Sequence, residues 1–265
     1  MSERSEYSPG EFCWVEVAVP DTDAAAAFYG DLLGWDREPY DPDPEGYWYF
    51  KSRGKRVAGL ESIRMEGQVP AWLGYVRVDD VAETAAKVGD AGGTIVEGPL
   101  AVPGDAGFMA VCQDPEGAVF ALWQQGTLIG AELVNEPGTW TWNNLMTRNL
   151  DRAREFYGRV FGWEATQSDA APDFVWSWQV EGQRWPEGLG NVIVMGSEMP
   201  AEAPPHWQVY LMVEGADGSI ETTTKSGGNL LFGPQDLPLG RMAVLSDPQG
   251  AAFAIIEPGP NYGVR

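Results

Sequence analysis

Residues 21–35 read DTDAAAAFYGDLLGW, and residues 149–163 read NLDRAREFYGRVFGW. In the first stretch Asp21-Thr22-Asp23 supply helix caps, Phe28 and Leu32 share one helix face at i, i+4, and Gly34 suits the left-handed residue that ends a helix. The pairs Phe28-Tyr29 and Gly34-Trp35 recur 128 positions later as Phe156-Tyr157 and Gly162-Trp163. The same offset carries Trp14 onto Trp142 and Asp23 onto Asp151, so a whole strand-plus-helix unit is repeated.

The register persists outward. Trp72-Leu-Gly-Tyr75 matches Trp207-Gln-Val-Tyr210 and Gly98-Pro99 matches Gly233-Pro234, both at offset 135. Gly107-Phe-Met-Ala-Val111 and Asp114-Pro-Glu-Gly117 match Gly240-Arg-Met-Ala-Val244 and Asp247-Pro-Gln-Gly250 at offset 133. The chain therefore reads as a tandem duplication, 10–126 and 139–258, joined by a linker at 127–138. In the first half a strand at 12–19 and the helix are followed by strand candidates at 35–40, 46–51 and 56–63, separated by Pro, Gly and Asp turns. A fainter copy follows: strand 71–78, caps Asp79-Asp80 for the helix VAETAAKVGDAGG, then strands near 94–98, 107–112 and 118–124. Four βαβββ modules in two domains predict an α+β architecture with cupped, mostly antiparallel sheets.

Composition agrees with short elements: 265 residues hold 33 glycines and 20 prolines. A formal net charge of −22 disfavours phosphate backbones and anionic lipid, so neither nucleic acid nor membrane is an expected partner. The polar start MSERSEYSPGEF, with no apolar segment after it and no long apolar run elsewhere, reads as a cytoplasmic chain. Cys13 and Cys112 are too few and too far apart for a disulfide framework or a zinc site. One histidine, His206, is too little for a Ser-His-Asp machine or a multi-histidine metal centre. Neither phosphate-binding glycine motif occurs. The anomaly is aromatic, with 12 Trp, 9 Tyr and 10 Phe, which implies large interfaces or an aromatic-lined cavity.

The ordered pattern Asp21-x-x-Ala-x-x-Phe28-Tyr29-x-x-Leu-x-Gly34-Trp35, Val78-Asp79-Asp80 and Asp114-Pro-x-Gly117 resembles the vicinal oxygen chelate superfamily, which includes glyoxalases, bleomycin-resistance-type proteins and extradiol dioxygenases. The resemblance spans residues 12–257. It implies a divalent metal in each cup, held by His on the first strand and Glu on the last strand of the modules. At the matching positions this chain has Trp14, Leu73 and Ala121 in one half and Trp142, Gln208 and Ala254 in the other. The remaining position falls near Glu61 and near Asn191 or Val192. Trp, Leu and Ala offer no donor to a hard cation, so the expectation is no metal and no cofactor.

Strand alternation names what lines the cups instead. The first should hold Trp14, Glu16, Tyr75, Arg77 and Trp123; the second Trp142, Asn144, Gln208, Tyr210, Met212, Ala252 and Ile256. Glu16 and Arg77 are read either as an ion pair or as catalytic groups, the carboxyl acting as acid or base. Trp14, Tyr75, Trp123, Trp142, Asn144, Gln208 and Tyr210 are the ligand-binding candidates, with the tryptophans stacking on a flat ligand or filling abandoned metal sites. Aromatics at 47–50 and at 174, 176 and 178 occupy both strand faces, so some must be core. His206 is expected at a loop or strand edge.

Three functions follow from this reading. The first is a metal-independent enzyme, lyase-, isomerase- or cyclase-like, that rearranges, cyclises or opens a bulky aromatic or polyketide-like small molecule; the resemblance adds a role in tailoring secondary metabolites. The second is a resistance-type protein that sequesters an aromatic antibiotic without turnover. The third is a residual metal-dependent glyoxalase- or dioxygenase-like enzyme. The fused halves imitate a dimer, so a pseudo-dimeric monomer or a homodimer is expected.

Overall fold

The computed structural model describes residues 3–43, 46–63, 67–167, 172–180, 190–197, 199–260 and 262. Its first half runs β1 (Phe12–Val19), α1 (Thr22–Leu33), β2 (Asp36–Pro39), β3 (Tyr47–Ser52), β4 (Lys55–Ser62), β5 (Ala71–Arg77), α2 (Val81–Asp90), β6 (Thr94–Val102), β7 (Gly107–Gln113) and β8 (Val119–Gln125). The second runs β9 (Thr139–Thr147), α3 (Leu150–Phe161), β10 (Glu164–Thr166), β11 (Val175–Gln179), β12 (Asn191–Val194), β13 (His206–Met212), α4 (Ala216–Lys225), β14 (Asn229–Leu237), β15 (Gly240–Ser246) and β16 (Ala252–Pro258). The protein is α+β, with the four βαβββ modules paired two to a sheet. No helix among the described residues is long and apolar enough to cross a membrane.

Local chemistry sets the helices. Asp21 Oδ1 accepts from Ala24 N and Asp80 Oδ1 from Glu83 N, each satisfying a first-turn amide. Gly34 and Gly162 end α1 and α3 at φ +71°. There a side chain would meet its own backbone.

Each half folds into one eight-stranded sheet, ordered β2-β3-β4-β1-β5-β8-β7-β6 and β10-β11-β12-β9-β13-β16-β15-β14. The antiparallel pairs β1–β5 and β9–β13 sit at the centres, each flanked by parallel neighbours, and the other pairings are antiparallel. Strand β6 runs on past Gly98 to Val102, farther than its apolar pattern suggests, through two irregularities of register against β7.

The halves join through their helix-bearing faces: α1 packs on α4 and α2 on α3. Tyr29, Phe28, Phe253, Phe156, Phe120 and Tyr157 interlock there, with Phe28–Phe253 centroids 6.2 Å and Phe120–Phe156 centroids 6.1 Å apart. The main apolar core is continuous across both halves. Residues 127–138 are no loose connection, because Leu128, Ala131, Leu133 and Val134 are buried in that core.

Candidate functional site

In the first cup Trp14 and Glu16 point from β1 toward Tyr75 of β5 and toward β3. Strand alternation separates YWYF at 47–50 as expected: Phe50 packs on Trp35 of the helix face, and Tyr47 and Tyr49 face the cup. Glu16 is 4% exposed. Its Oε1 accepts from the Tyr75 hydroxyl at 2.6 Å and its Oε2 from the Tyr47 hydroxyl at 2.9 Å. Trp14 Nε1 then donates to the Tyr47 oxygen at 2.9 Å. Gly59 lies beneath this cluster, where a Cβ would stand 2.1 Å from the Tyr47 oxygen and 2.8 Å from Glu16 Cβ.

Burial, reinforced by the charge of Glu61, raises the Glu16 carboxyl from its usual 4.5 to about 8, against the lowering effect of its two tyrosine hydrogen bonds. Burial and the neighbouring Glu16 carboxylate also hold the Tyr47 and Tyr75 phenols well above their ordinary range. The Glu16 carboxyl is thereby raised toward the neutral range, where it can take up or release a proton, while both phenols keep theirs.

The ion pair read between Glu16 and Arg77 is not made. Glu16 faces Leu73 across the β1–β5 ladder, so Arg77 lies four residues farther along, about 13 Å at ~3.3 Å per residue. Arg77 bonds Asp79 instead, and its buried Nε has no hydrogen-bond partner. Trp123 is anchored by Nε1 donation to Leu128 O at 3.0 Å, which ties β8 to the segment after it. Trp14, Tyr75 and Trp123 are all buried, closing the floor of the cup.

Open space lies beside that floor. A cavity of about 660 Å³ is lined by Glu38, Pro39, Tyr40, Asp41, Pro42, Tyr49, Arg56, Gly104, Ala106, Thr127 and Leu128. Its volume lies in the range of small-molecule sites. The rims of the sheet meet above it, where the Tyr40 hydroxyl donates to Pro103 O. The Arg56 guanidinium sits 5.2 Å from the Tyr49 ring centroid and its Nε is 3.4 Å from Glu132 Oε2. Burial pushes the Tyr49 phenol up to about 12. Tyr49 also meets Trp14 edge-on at 6.1 Å, so the wall of the cavity is the back of the Glu16 cluster. None of the residues singled out in the sequence lines this cavity directly. Tyr40, Tyr49 and Arg56 of its lining, and Tyr47 behind them, are not among the candidates read from the sequence, although the alternation of Tyr47 and Tyr49 is a readable sign that both share the cup face.

The second cup is built differently. Trp142 lies nearly parallel to Tyr210 (5.3 Å, 28°) and to Tyr262 (5.8 Å, 18°). Met212, Met242, Ala254 and Ile256 complete an apolar cluster separate from the main core. Asn144 Oδ1 accepts from Asn191 N and Nδ2, both at 3.1 Å, and Gln208 is buried beside it on β13. Trp176 and Trp178 turn to the helix face, against Arg154 and Tyr157, leaving this cup without the tyrosine pair of the first. His206 begins β13, with Nδ1 2.9 Å from Pro204 O.

The donor set at the metal positions does not suit a divalent ion. Trp14, Leu73, Ala121, Trp142 and Ala254 carry no oxygen or imidazole donor; Glu61 is the one carboxylate among the matching positions, Gln208 and Asn191 offer only neutral amides, and both oxygens of nearby Glu16 are taken by phenols. No group of three or more His, Cys, Asp or Glu among the described residues is arranged to hold a metal.

The Glyoxalase-like domain family matches residues 14–123 and again 140–256. CFP32 of Mycobacterium tuberculosis (strain CDC 1551 / Oshkosh), which carries a provisional glyoxylase name, is 38% identical over 98% of this chain and 99% of its own length. DnrV of Streptomyces peucetius, named as an anthracycline biosynthesis protein, is 31% identical over 97% of each chain. Among solved structures, the Mn(II)-bound glyoxalase from Novosphingobium aromaticivorans superposes with a TM-score of 0.64 at 18% identity, covering 98% of this chain and 84% of that one. The 2,3-dioxygenase LapB from Pseudomonas sp. KL28 gives 0.63 at 16% identity, over 97% and 96%. These last two likenesses are of fold.

Proposed function

We propose, from the premise that the chain belongs to the glyoxalase-like family of the vicinal oxygen chelate superfamily, that its first half binds a bulky, flat aromatic molecule of polyketide type and transforms it without a metal. The observation that carries this reading is the 660 Å³ cavity, walled by Tyr40, Tyr49 and Arg56 and backed by the buried Glu16 cluster. Aromatic walls hold a planar ligand by stacking and edge contacts, and Arg56 offers its polar groups one cation. Glu16 does not reach the cavity. Tyr47, hydrogen-bonded to both Glu16 and Trp14, packs edge-on against Tyr40 and Tyr49 of the cavity wall, and in this reading the carboxyl acts through Tyr47 as a proton store once those rings give access to it. Rearrangement, cyclisation or ring opening of an enolisable polycyclic compound needs such a proton transfer and no redox partner. DnrV and DauV, the anthracycline biosynthesis proteins at 31% and 32% identity, support this class of substrate.

Sequestration without turnover is the second reading, and the seclusion of Glu16 behind Trp14 and Tyr47 favours it. Titration with an anthracycline aglycone, with and without EDTA, followed by mass spectrometry of the recovered ligand, separates the two. Chelator-insensitive binding with an altered or isomerised product supports the enzyme. Chelator-insensitive binding with the aglycone returned unchanged supports sequestration, and binding that EDTA abolishes overturns both.

A further inference from the structure

Trp14 of the first cup is packed against Tyr49 and bonded to Tyr47, both from β3; Trp142 of the second is covered by a residue from beyond the last strand. Tyr262, which follows β16, lies almost flat against Trp142, with ring centroids 5.8 Å apart and planes 18° apart. An extra residue in β9, Thr141, between the pairs Tyr210–Trp142 and Leu211–Trp140, turns the Thr141 hydroxyl to the same face as Trp142. That oxygen is 2.6 Å from the Tyr262 hydroxyl. Thr141 gives its own proton to Asn135 Oδ1 at 2.9 Å, so its oxygen is left as an acceptor and Tyr262 is the donor. The rest of the cluster is Tyr210, Met212, Met242, Ala254, Ile256 and Val244, with the two methionines able to repack around different shapes. Tyr262 belongs to no strand ladder; its N–H bonds within its own turn, to Gly259 O at 3.0 Å.

We propose that the second cup is a binding site for a flat aromatic molecule bearing a hydroxyl group, and that Tyr262 is its internal occupant, displaced when such a molecule binds. The stack on Trp142 selects a planar ring and the Thr141 oxygen selects a phenol over an ether or a carbonyl. Among the described residues Tyr262 pairs with no strand, and rotation of its side chain off Trp142 leaves the Gly259 N–Leu239 O bond at the base of the turn in place. The proposal concerns the second half alone and is independent of the reading of the first.

The test uses the full chain labelled with 13C-methyl methionine and titrated with 2-naphthol, read at the Met212 and Met242 methyl resonances. Removing the occupant in Tyr262→Ala should lower the midpoint at those two methyls at least fivefold relative to the unaltered protein. Tyr262→Phe, which keeps the ring and loses the bond to Thr141, should fall between them. In Tyr262→Ala, 2-methoxynaphthalene, which cannot donate, should bind several-fold more weakly than 2-naphthol. Equal midpoints in the unaltered protein and Tyr262→Ala, no response at either methyl, or equal binding of the two naphthalenes overturns the proposal. If Tyr262→Ala does not fold, Tyr262→Phe decides it: a midpoint equal to that of the unaltered protein overturns it as well.

Discussion

The hydroxyl of Tyr29 donates to Asp247 Oδ2 at 3.1 Å, joining residues 218 positions apart, and Tyr157 repeats the bond to Asp114 Oδ2 at 3.0 Å. Trp72 Nε1 and Trp207 Nε1 complete the two networks by donating to the same tyrosine oxygens at 2.9 and 2.8 Å. Each aspartate meanwhile caps its own turn, Asp114 through the amides of Glu116 and Ala118, Asp247 through those of Gln249 and Ala251. Tyr29, Tyr157, Trp72, Trp207 and the two Asp-Pro-x-Gly turns thus fasten the halves together away from the cups, whereas the tyrosines that end the Trp-x-x-Tyr motifs, Tyr75 and Tyr210, belong to the cups.

Tyr29→Phe and Tyr157→Phe should each destabilise the protein by about 2–3 kcal/mol, because each leaves a buried carboxylate oxygen and an indole N–H unpaired. Urea midpoints measure the loss. Ligand affinity should stay within twofold, and a larger drop would place these tyrosines in the site after all.

Glu16 makes stability depend on pH in a definite direction. Its folded value, about 8, exceeds the usual 4.5, so between these limits the native state retains a proton that the unfolded chain releases. Stability from this group is therefore full below pH 4.5, falls as pH rises, and is lost above pH 8, by the order of a few kcal/mol. Glu16→Gln carries no charge to bury, so its stability advantage over the unaltered protein should grow from pH 4.5 to 8. Parallel stability curves across that window would show that Glu16 is ionised throughout.

Gly59→Ala should break the same cluster from below. The added methyl would land 2.1 Å from the Tyr47 oxygen, which must swing away from Glu16 and Trp14. We expect a loss of about 1–3 kcal/mol from overpacking, measured by urea midpoints. A variant as stable as the unaltered protein would mean that Tyr47 is free to move.

How much of this could be read from the sequence varied with the kind of information each residue carries. Repeats, caps and turn glycines act locally, so Asp21, Asp80 and Gly34 announce the modules, and the duplication announces two sheets. Alternation correctly set Trp14 and Glu16 on a shared face. It could not tell where Arg77 would find its partner, since Asp79 is two residues away on the exposed side while Glu16 is separated by the length of the strand. Nor could it show the cavity, whose walls come from β2 and the turn after it, β3, β4, the turn before β7 and the segment after β8. Those pieces meet only because the sheet curls. Tyr262 was invisible for the same reason: nothing in an isolated Tyr near Gly259-Pro260 says which surface it will cover.

The chemistry at the abandoned ligand positions leads to a prediction about metals. A divalent ion that bound the folded protein with a dissociation constant of about 10 μM would, at 1 mM, add about 2.7 kcal/mol to its stability by mass action alone. That gain would raise the melting temperature by several degrees for a chain of this size. With Trp14, Leu73 and Ala121 supplying no donor, Glu61 alone supplying a carboxylate and Glu16 engaged by Tyr47 and Tyr75, millimolar Mn²⁺, Ni²⁺ or Zn²⁺ should leave the melting temperature within about 1 °C of its value in EDTA. The comparison is most demanding above pH 8, where Glu16 has lost its proton and is open to a cation. A reproducible rise with one ion, lost in Glu16→Gln, would mean that the carboxyl exchanges its tyrosine partners for a metal, and the metal-free reading of the first cup would then be wrong.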